Sequence, residues 1–171
     1  QRLNNAAYYT NQELTFNVVN SAPDFKNKRV IHILEPSVGV GNFLPSLFQK
    51  YSNQEVVLDV IDINKESLKI LKSLLRKIKT PKNFKINFIN NDFLLFKNKK
   101  NYDLVVGNPP FENLKKEQIE IYRLEEIFTD SYAKNLYSFF LTKALLIGRN
   151  ISFISPKAIF ESKTFIEDRD K

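Results

Sequence analysis

Short apolar runs alternate with amphipathic segments along this sequence of 171 residues, and the alternation limits the folds that the chain can adopt. The apolar runs predict five strands, at residues 30–34, 56–61, 84–89, 102–106 and 151–155. The first run is almost continuously apolar, which is typical of a parallel strand buried on both faces. Strands that alternate with helices predict an α/β fold with a doubly wound, mostly parallel sheet.

The segments between the strands are predicted to be helical. We predict helices at residues 11–21, 42–50, 65–79, 115–128 and 135–147. In the clearest of them Leu68, Leu71, Leu75 and Ile78 recur at intervals of three and four residues, as one face of a helix requires. The length of the chain suits one domain, so we expect residues 1–171 to fold together.

Several residues mark the expected ends of these helices. Thr10 followed by Glu13 fits a capping box, in which hydroxyl and carboxylate accept hydrogen bonds from backbone amides of the first turn. Pro23 would end the first helix, and Pro45 is tolerated in the second because it falls in the first turn. Gly148 follows the last helix, where a left-handed cap is expected.

The composition excludes several kinds of site. Without Cys, the chain has no disulfide, thiolate metal site or cysteine nucleophile, and the lone His32 cannot form a histidine cluster. We therefore expect no metal, and we expect His32, inside a predicted strand, to be a core residue. No apolar run approaches the ~18 residues of a membrane span and no signal peptide opens the chain. We expect no membrane partner and a cytoplasmic location.

The charge balance does not identify a partner. There are 26 basic and 19 acidic side chains, a formal net charge of +7, which is compatible with a polyanionic partner. However, the many Lys, Asn, Ile and Phe residues resemble a bias toward AT-rich codons, which would add positive charge without a binding role.

Three of the four glycines of the chain follow predicted strands and indicate where a ligand would bind. Gly39 and Gly41 follow the first predicted strand, in the segment Glu-Pro-Ser-Val-Gly-Val-Gly at 35–41. A dinucleotide fingerprint would require a third glycine where Leu44 stands, which counts against NAD or FAD. Asp62 ends the second strand, where an acid can accept both hydroxyls of a ribose. A plain tight turn and a helix cap remain the alternative interpretation of these residues.

A second cluster follows the fourth predicted strand, after Gly107. Asn108, Pro109, Pro110 and Phe111 form a stiff corner, because consecutive prolines fix φ and remove amide donors. Such a corner would present the Asn108 amide and the Pro109 carbonyl as two acceptors beside an exposed ring. Two acceptors and a flat ring suit a planar group that carries an NH₂.

Together these stretches resemble the S-adenosylmethionine-dependent DNA adenine-N6 methyltransferases of restriction–modification systems. The matching stretches are residues 35–43, Asp62, residues 91–93 and residues 108–111, with weaker matches at 8–10 and 153–156. The resemblance implies a Rossmann-like methyltransferase fold, S-adenosylmethionine as cofactor and a flipped-out adenine of double-stranded DNA as substrate. It also implies a bacterial protein with a cognate restriction endonuclease as partner. We expect a target-recognition domain beyond residue 171, and a sheet that lacks the final antiparallel hairpin of the family.

The resemblance assigns roles around the methionine part of the cofactor. Thr10, at a helix start, would bind the methionine carboxylate. Glu35, with Pro36 beside it, would lie near the methionine amino group, while Gly39 and Gly41 would leave room for that part of the cofactor.

The resemblance also assigns the nucleoside part of the cofactor and the catalytic corner. Asp62 would hold the ribose, Ile63 would cover one face of the cofactor adenine, Asp92 would accept from its amino group, and Phe93 would pack nearby. The implied catalytic residues are Asn108, Pro109 and Phe111, and Asn108 also belongs to the implied cofactor-binding residues.

Three alternatives remain open at the level of the sequence. The planar NH₂ could belong to RNA adenine or to a protein glutamine rather than to DNA. The chain could instead be a nucleotide-dependent oxidoreductase, which the missing third glycine disfavours. It could also be a non-catalytic nucleic-acid-binding subunit, which the intact corner at 108–111 disfavours.

Overall fold

The computed structural model describes residues 11–97, 100–123, 135–155 and 157. The strands are β1 (Val30–Glu35), β2 (Glu55–Asp62), β3 (Phe84–Asn90), β4 (Leu104–Gly107) and β5 (Ile151–Phe153). The helices are α1 (Gln12–Ser21), α2 (Leu44–Lys50), α3 (Lys65–Ile78), α4 (Lys116–Arg123) and α5 (Leu136–Ile147). Every predicted element is present with small differences in its ends, although residues 124–128 of the predicted fourth helix lie outside the described residues.

The five strands form one parallel sheet in the order β3-β2-β1-β4-β5. The order reverses between β1 and β4, because the chain first builds outward through β2 and β3 and then returns to the other side of β1. The predicted doubly wound α/β fold is therefore confirmed. In such sheets ligands bind beyond the carboxyl ends of the strands, at the point where the order reverses.

The core lies on both faces of the sheet. On one face Leu47 of α2 and Leu71 of α3 pack against Ile33 of the central strand. On the other face Phe139 of α5 packs with Leu34, the next residue of the same strand. Successive strand residues point to opposite faces, so a strand covered on both sides must be apolar at every position. This explains the almost continuous apolar run in β1, in which His32 is partly exposed and so is not the core residue that the sequence predicted.

The predictions for α1 and α3 need correction in two details. The N-cap of α1 is Asn11, whose side chain accepts from the Glu13 amide at 3.1 Å, so the capping box predicted for Thr10 is wrong by one residue. Thr10 itself lies outside the described residues. At the end of α3 Ile78 is 60% exposed, because the buried stripe ends at Leu75.

Gly148 ends α5 for a different reason than the one predicted. Its φ is −111°, which is extended rather than left-handed. A Cβ at this position would lie 2.5 Å from Cγ2 of Val105 and 3.0 Å from the carbonyl oxygen of Ala144. Glycine is therefore required here because α5 and the sheet approach closely.

Within the described ranges, no helix is long and apolar enough to cross a bilayer.

Candidate active site

A cavity of about 390 Å³ opens at the carboxyl ends of β1 to β4, which is within the range of small-molecule sites. It lies at the reversal of strand order that the fold predicts for a ligand site. Ten of the residues predicted from the sequence line this cavity: Glu35, Pro36, Gly39, Asp62, Ile63, Asp92, Phe93, Asn108, Pro109 and Phe111. Gly41 does not line it, and Thr10 lies outside the described residues.

The turn after β1 contains two glycines with left-handed backbones and different functions. Gly39 has φ +53° and lines the cavity, and a Cβ built on it would meet nothing within 4 Å. Gly41 has φ +88°, and its Cβ would lie 2.5 Å from Cδ1 of Leu71. The first glycine leaves space in the cavity, whereas the second allows α3 to pack against the turn.

Glu35, the last residue of β1, is a buried acid at the base of the cavity. It is 1% exposed, and its Oε2 has no hydrogen-bond partner among the described residues. Burial, together with the negative charge of Asp62, raises the pKa of Glu35 well above its usual value. A buried carboxylate without a partner is costly, so this geometry favours a donor or cation from a ligand.

Asp62 connects the glycine turn to the end of β2. Its Oδ2 accepts from the Gly39 amide at 2.7 Å, and its Oδ1 accepts from the Asn64 amide at 2.8 Å. The N-cap of α3 is Asn64, so Asp62 does not cap that helix. A carboxylate has about four acceptor positions, and two of those on Asp62 remain for a ligand.

The wall that follows β2 and β3 combines apolar surface with a second carboxylate. Ile63 is 72% exposed, whereas Phe93 is buried and its ring centroid lies 5.0 Å from that of Phe140. Asp92 accepts from the Leu94 amide at 2.9 Å through Oδ1 and from the Tyr122 hydroxyl at 3.0 Å through Oδ2. An exposed apolar side chain and a fixed acceptor on one wall can bind a flat heterocycle that carries a donor.

The corner after β4 forms the opposite wall. Asn108 lines the cavity with its Oδ1 buried, and its backbone carbonyl accepts from the Ser37 hydroxyl at 3.2 Å. Phe111 is 37% exposed, and its ring centroid lies 5.7 Å from that of Tyr137. The hydroxyl of Tyr137 in turn lies 2.6 Å from that of Ser155. The exposed ring of Phe111 thus packs on Tyr137 of α5, which the segment after β5 contacts in turn.

The sequence interpretation assigned no role to several other residues that line the cavity. Among them are Ser37, Ser67, Asn91, Glu112, Tyr122, Leu136 and Phe140. Tyr122 is the one whose side chain donates to a predicted site carboxylate, that of Asp92. Its spacing of three from Ile119 on α4 was the available signal of a buried helix face. No group of three metal-ligating side chains occurs in the described part of the chain.

Solved structures share this fold at low sequence identity. A Listeria monocytogenes protein assigned to the class I S-adenosylmethionine-dependent methyltransferases has a TM-score of 0.69 at 15% identity, over 91% of this chain and 48% of that one. The type IIG restriction endonuclease BpuSI has a TM-score of 0.66 at 20% identity, over 94% and 21%. A predicted N6-adenine-specific DNA methylase from Listeria monocytogenes has a TM-score of 0.58 at 13% identity, over 94% and 47%.

These similarities and the site define the class of protein. The fold is the Rossmann-like fold of S-adenosylmethionine-dependent methyltransferases, and the chain spans about half or less of the length of each of these three proteins. The sequence model of the Eco57I restriction-modification methylases matches residues 5–170, so the chain belongs to that family. No curated protein matches the sequence.

Proposed function

We propose that this chain binds S-adenosylmethionine in the cavity and methylates the N6 amino group of adenine in DNA. The observation that carries the proposal is that the corner at 108–111 and the residues Glu35, Gly39 and Asp62 line one cavity. A substrate amino group at the corner would then lie beside a ligand held by the glycine turn.

The polar groups at the base of the cavity fit the methionine and ribose parts of the cofactor. The Oε2 of Glu35 requires a donor, and the α-amino group of methionine would be a cationic one. The open space at Gly39 accommodates a ligand close to the backbone. The remaining acceptor positions of Asp62 suit the two ribose hydroxyls.

The wall after β2 and β3 fits the adenine of the cofactor. Ile63 and Phe93 would cover the ring, and Asp92 would accept from its amino group. A purine ring over the exposed Ile63 would remove apolar surface of both groups from water, which favours binding.

The corner residues would act on the substrate amino group. Its lone pair is delocalised into the purine ring, so the nitrogen is a poor nucleophile. Two hydrogen bonds, to Oδ1 of Asn108 and to the Pro109 carbonyl, would favour a tetrahedral nitrogen and so free the lone pair in a fixed orientation. When bound, S-adenosylmethionine supplies an electrophilic methyl group on a sulfonium.

Phe111 would hold the target base after it leaves the duplex. Extrusion of a base costs a few kcal/mol, and stacking on an aromatic ring contributes ~1–3 kcal/mol per base.

We propose double-stranded DNA as the substrate, because the family acts in restriction–modification. We propose a cognate restriction endonuclease as the partner for the same reason.

The test is methyl transfer by the full-length protein. Tritiated S-adenosylmethionine is incubated with duplex DNA, with RNA and with a glutamine-containing release-factor fragment. We expect label in DNA, recovered as N6-methyladenine after digestion. Label in RNA or protein alone would contradict DNA as the substrate. If calorimetry finds no binding of S-adenosylmethionine, with NAD titrated for comparison, the whole proposal would be wrong.

A further inference from the structure

One cavity contact joins two elements that are far apart in the sequence. The hydroxyl of Tyr122, on α4, donates to Oδ2 of Asp92, just after β3, at 3.0 Å. Both residues line the cavity. The other oxygen of Asp92 accepts from the Leu94 amide at 2.9 Å, so the carboxylate is held at both ends.

The phenol of Tyr122 is itself held by packing. Its ring centroid lies 5.7 Å from that of the buried Phe139 on α5, and the residue is half-buried against the cluster on that face of the sheet. Burial and the negative charge of Asp92 raise the pKa of Tyr122, so the hydroxyl stays protonated and acts as a donor. In this contact the Tyr122 hydroxyl is therefore always the donor and the Asp92 carboxylate the acceptor.

From this geometry we infer that Tyr122 is a positioning residue that sets the purine specificity of the cofactor site. This inference rests on the proposed function, in which Asp92 accepts from the amino group of the cofactor adenine. Each oxygen of Asp92 keeps one acceptor position when its first is filled by Leu94 or Tyr122. A carboxylate that cannot rotate accepts from an amino group but repels the carbonyl of a hypoxanthine in the same place.

The measurement is the preference for adenine over hypoxanthine. The full-length protein is titrated with S-adenosylhomocysteine and with S-inosylhomocysteine, and the ratio of the two dissociation constants is compared between the wild type and Tyr122→Phe. We expect the variant to reduce the preference about fivefold, because binding of the adenine ligand weakens while that of the inosine ligand changes less than about twofold. Since the ring is retained, the variant is expected to fold, which circular dichroism verifies.

The chain offers a matched control in a second tyrosine–aspartate pair. The Tyr102 hydroxyl donates to Oδ2 of Asp59 at 2.7 Å, and neither residue lines the cavity. Tyr102→Phe removes the same atom from the same kind of contact, so it should lower the melting temperature without changing the preference. In an Asp92→Ala background, Tyr122→Phe should have no further effect on the ratio, since the two residues act as a unit.

The outcomes separate the two proposals. If the wild type binds neither ligand, the proposed function fails. If the wild type prefers adenine and Tyr122→Phe retains that preference, or if Tyr102→Phe lowers it equally, the role of Tyr122 is overturned while the proposed function stands. Should Tyr122→Phe not fold, Phe139→Leu removes the ring that supports the phenol, and an unchanged preference there would equally overturn the role.

Discussion

Glu35 and Asp103 are both buried acids that adjoin β1, yet their surroundings differ. At the amino end of β4, Asp103 accepts from the ammonium group of Lys28 and, at 3.0 Å, from the His32 amide. Although burial alone would raise the pKa of Asp103, the hydrogen bonds from Lys28 and His32 lower it below its usual value. At the carboxyl end of β1, Glu35 has a raised pKa and an oxygen without a partner in the described ranges.

The difference shows which end of the sheet is built for stability and which for binding. A buried acid whose hydrogen bonds are satisfied stabilises the fold. A buried acid without a partner lowers the stability of the fold, and the rest of the structure must offset that cost. Such groups occur where a ligand completes the pairing. Changes at the cavity end should therefore affect binding and turnover, and changes at the opposite end should affect folding.

The largest effect is expected at the corner. Asn108→Ala should lower methyl transfer by at least about 10³-fold, because one preorganised hydrogen bond at the reacting nitrogen is lost. Affinity for S-adenosylhomocysteine should change less than about threefold, since the amide acts on the target base. Single-turnover transfer to duplex DNA by the full-length protein, with calorimetry, measures both. The exposed Asn53→Ala is the matched control, and unchanged turnover in Asn108→Ala would refute the assigned role.

The next effect is expected at the ribose acceptor. Asp62→Ala should weaken binding of S-adenosylhomocysteine about 100-fold, because two charge-assisted hydrogen bonds to the ribose are lost. Asp24, whose side chain is 64% exposed, supplies the control variant Asp24→Ala. Calorimetry that finds equal affinities in both variants would mean that Asp62 only orders the Gly39 turn, and the contrast between the two ends would be weaker.

At the opposite end the same kind of change should affect stability alone. Asp103→Ala should lower the free energy of unfolding by about 2 kcal/mol, since two hydrogen bonds to a buried carboxylate are lost. Because the pKa of Asp103 is lowered by folding, its contribution is present above the ordinary value of about 3.9 and is lost as the pH falls through the folded value. Urea unfolding at pH 3 to 7 measures this. A large loss of cofactor affinity in this variant would contradict the view that this end of the sheet contributes to stability and not to binding.

The smallest effect, and the one of opposite sign, is expected at Glu35. Because folding raises its pKa, its contribution to stability is complete below about 4.3 and is lost as the pH rises through the folded value. Glu35→Gln should therefore stabilise the ligand-free protein by about 1 kcal/mol at pH 8, while cofactor affinity falls about tenfold.

Urea unfolding of the ligand-free protein at several pH values, followed by calorimetry, tests the Glu35 prediction. The wild type should lose stability relative to Glu35→Gln as the pH rises above about 4.3, and the difference should shrink at low pH. If the variant were less stable at every pH, Glu35 would be a structural residue like Asp103.

Much of the fold could be predicted because its signals are local. Apolar residues that recur every two positions in strands, or every three to four in helices, depend only on neighbours within one element. The elements and the parallel sheet could therefore be predicted from them. The cavity residues at the strand ends could also be predicted, because parallel strands bring their carboxyl ends to one edge of the sheet. Glu35, Asp62 and Asn108 could thus be predicted to lie together.

What the sequence did not reveal depends on contacts between distant segments. Gly41 and Gly148 were each interpreted from the local chain, whereas the structure explains them by the approach of Leu71 and Val105. The bond from Tyr122 to Asp92 spans 30 residues and leaves no pattern near either one.

By itself the sequence determined the alternating architecture, the glycine turn and the stiff corner, because backbone propensity and hydrophobic period act over a few residues. Only the tertiary structure decided which acid is paired and which is left for a ligand. Burial and pairing depend on the packing of whole elements, and side chains that meet there come from strands and helices far apart along the chain.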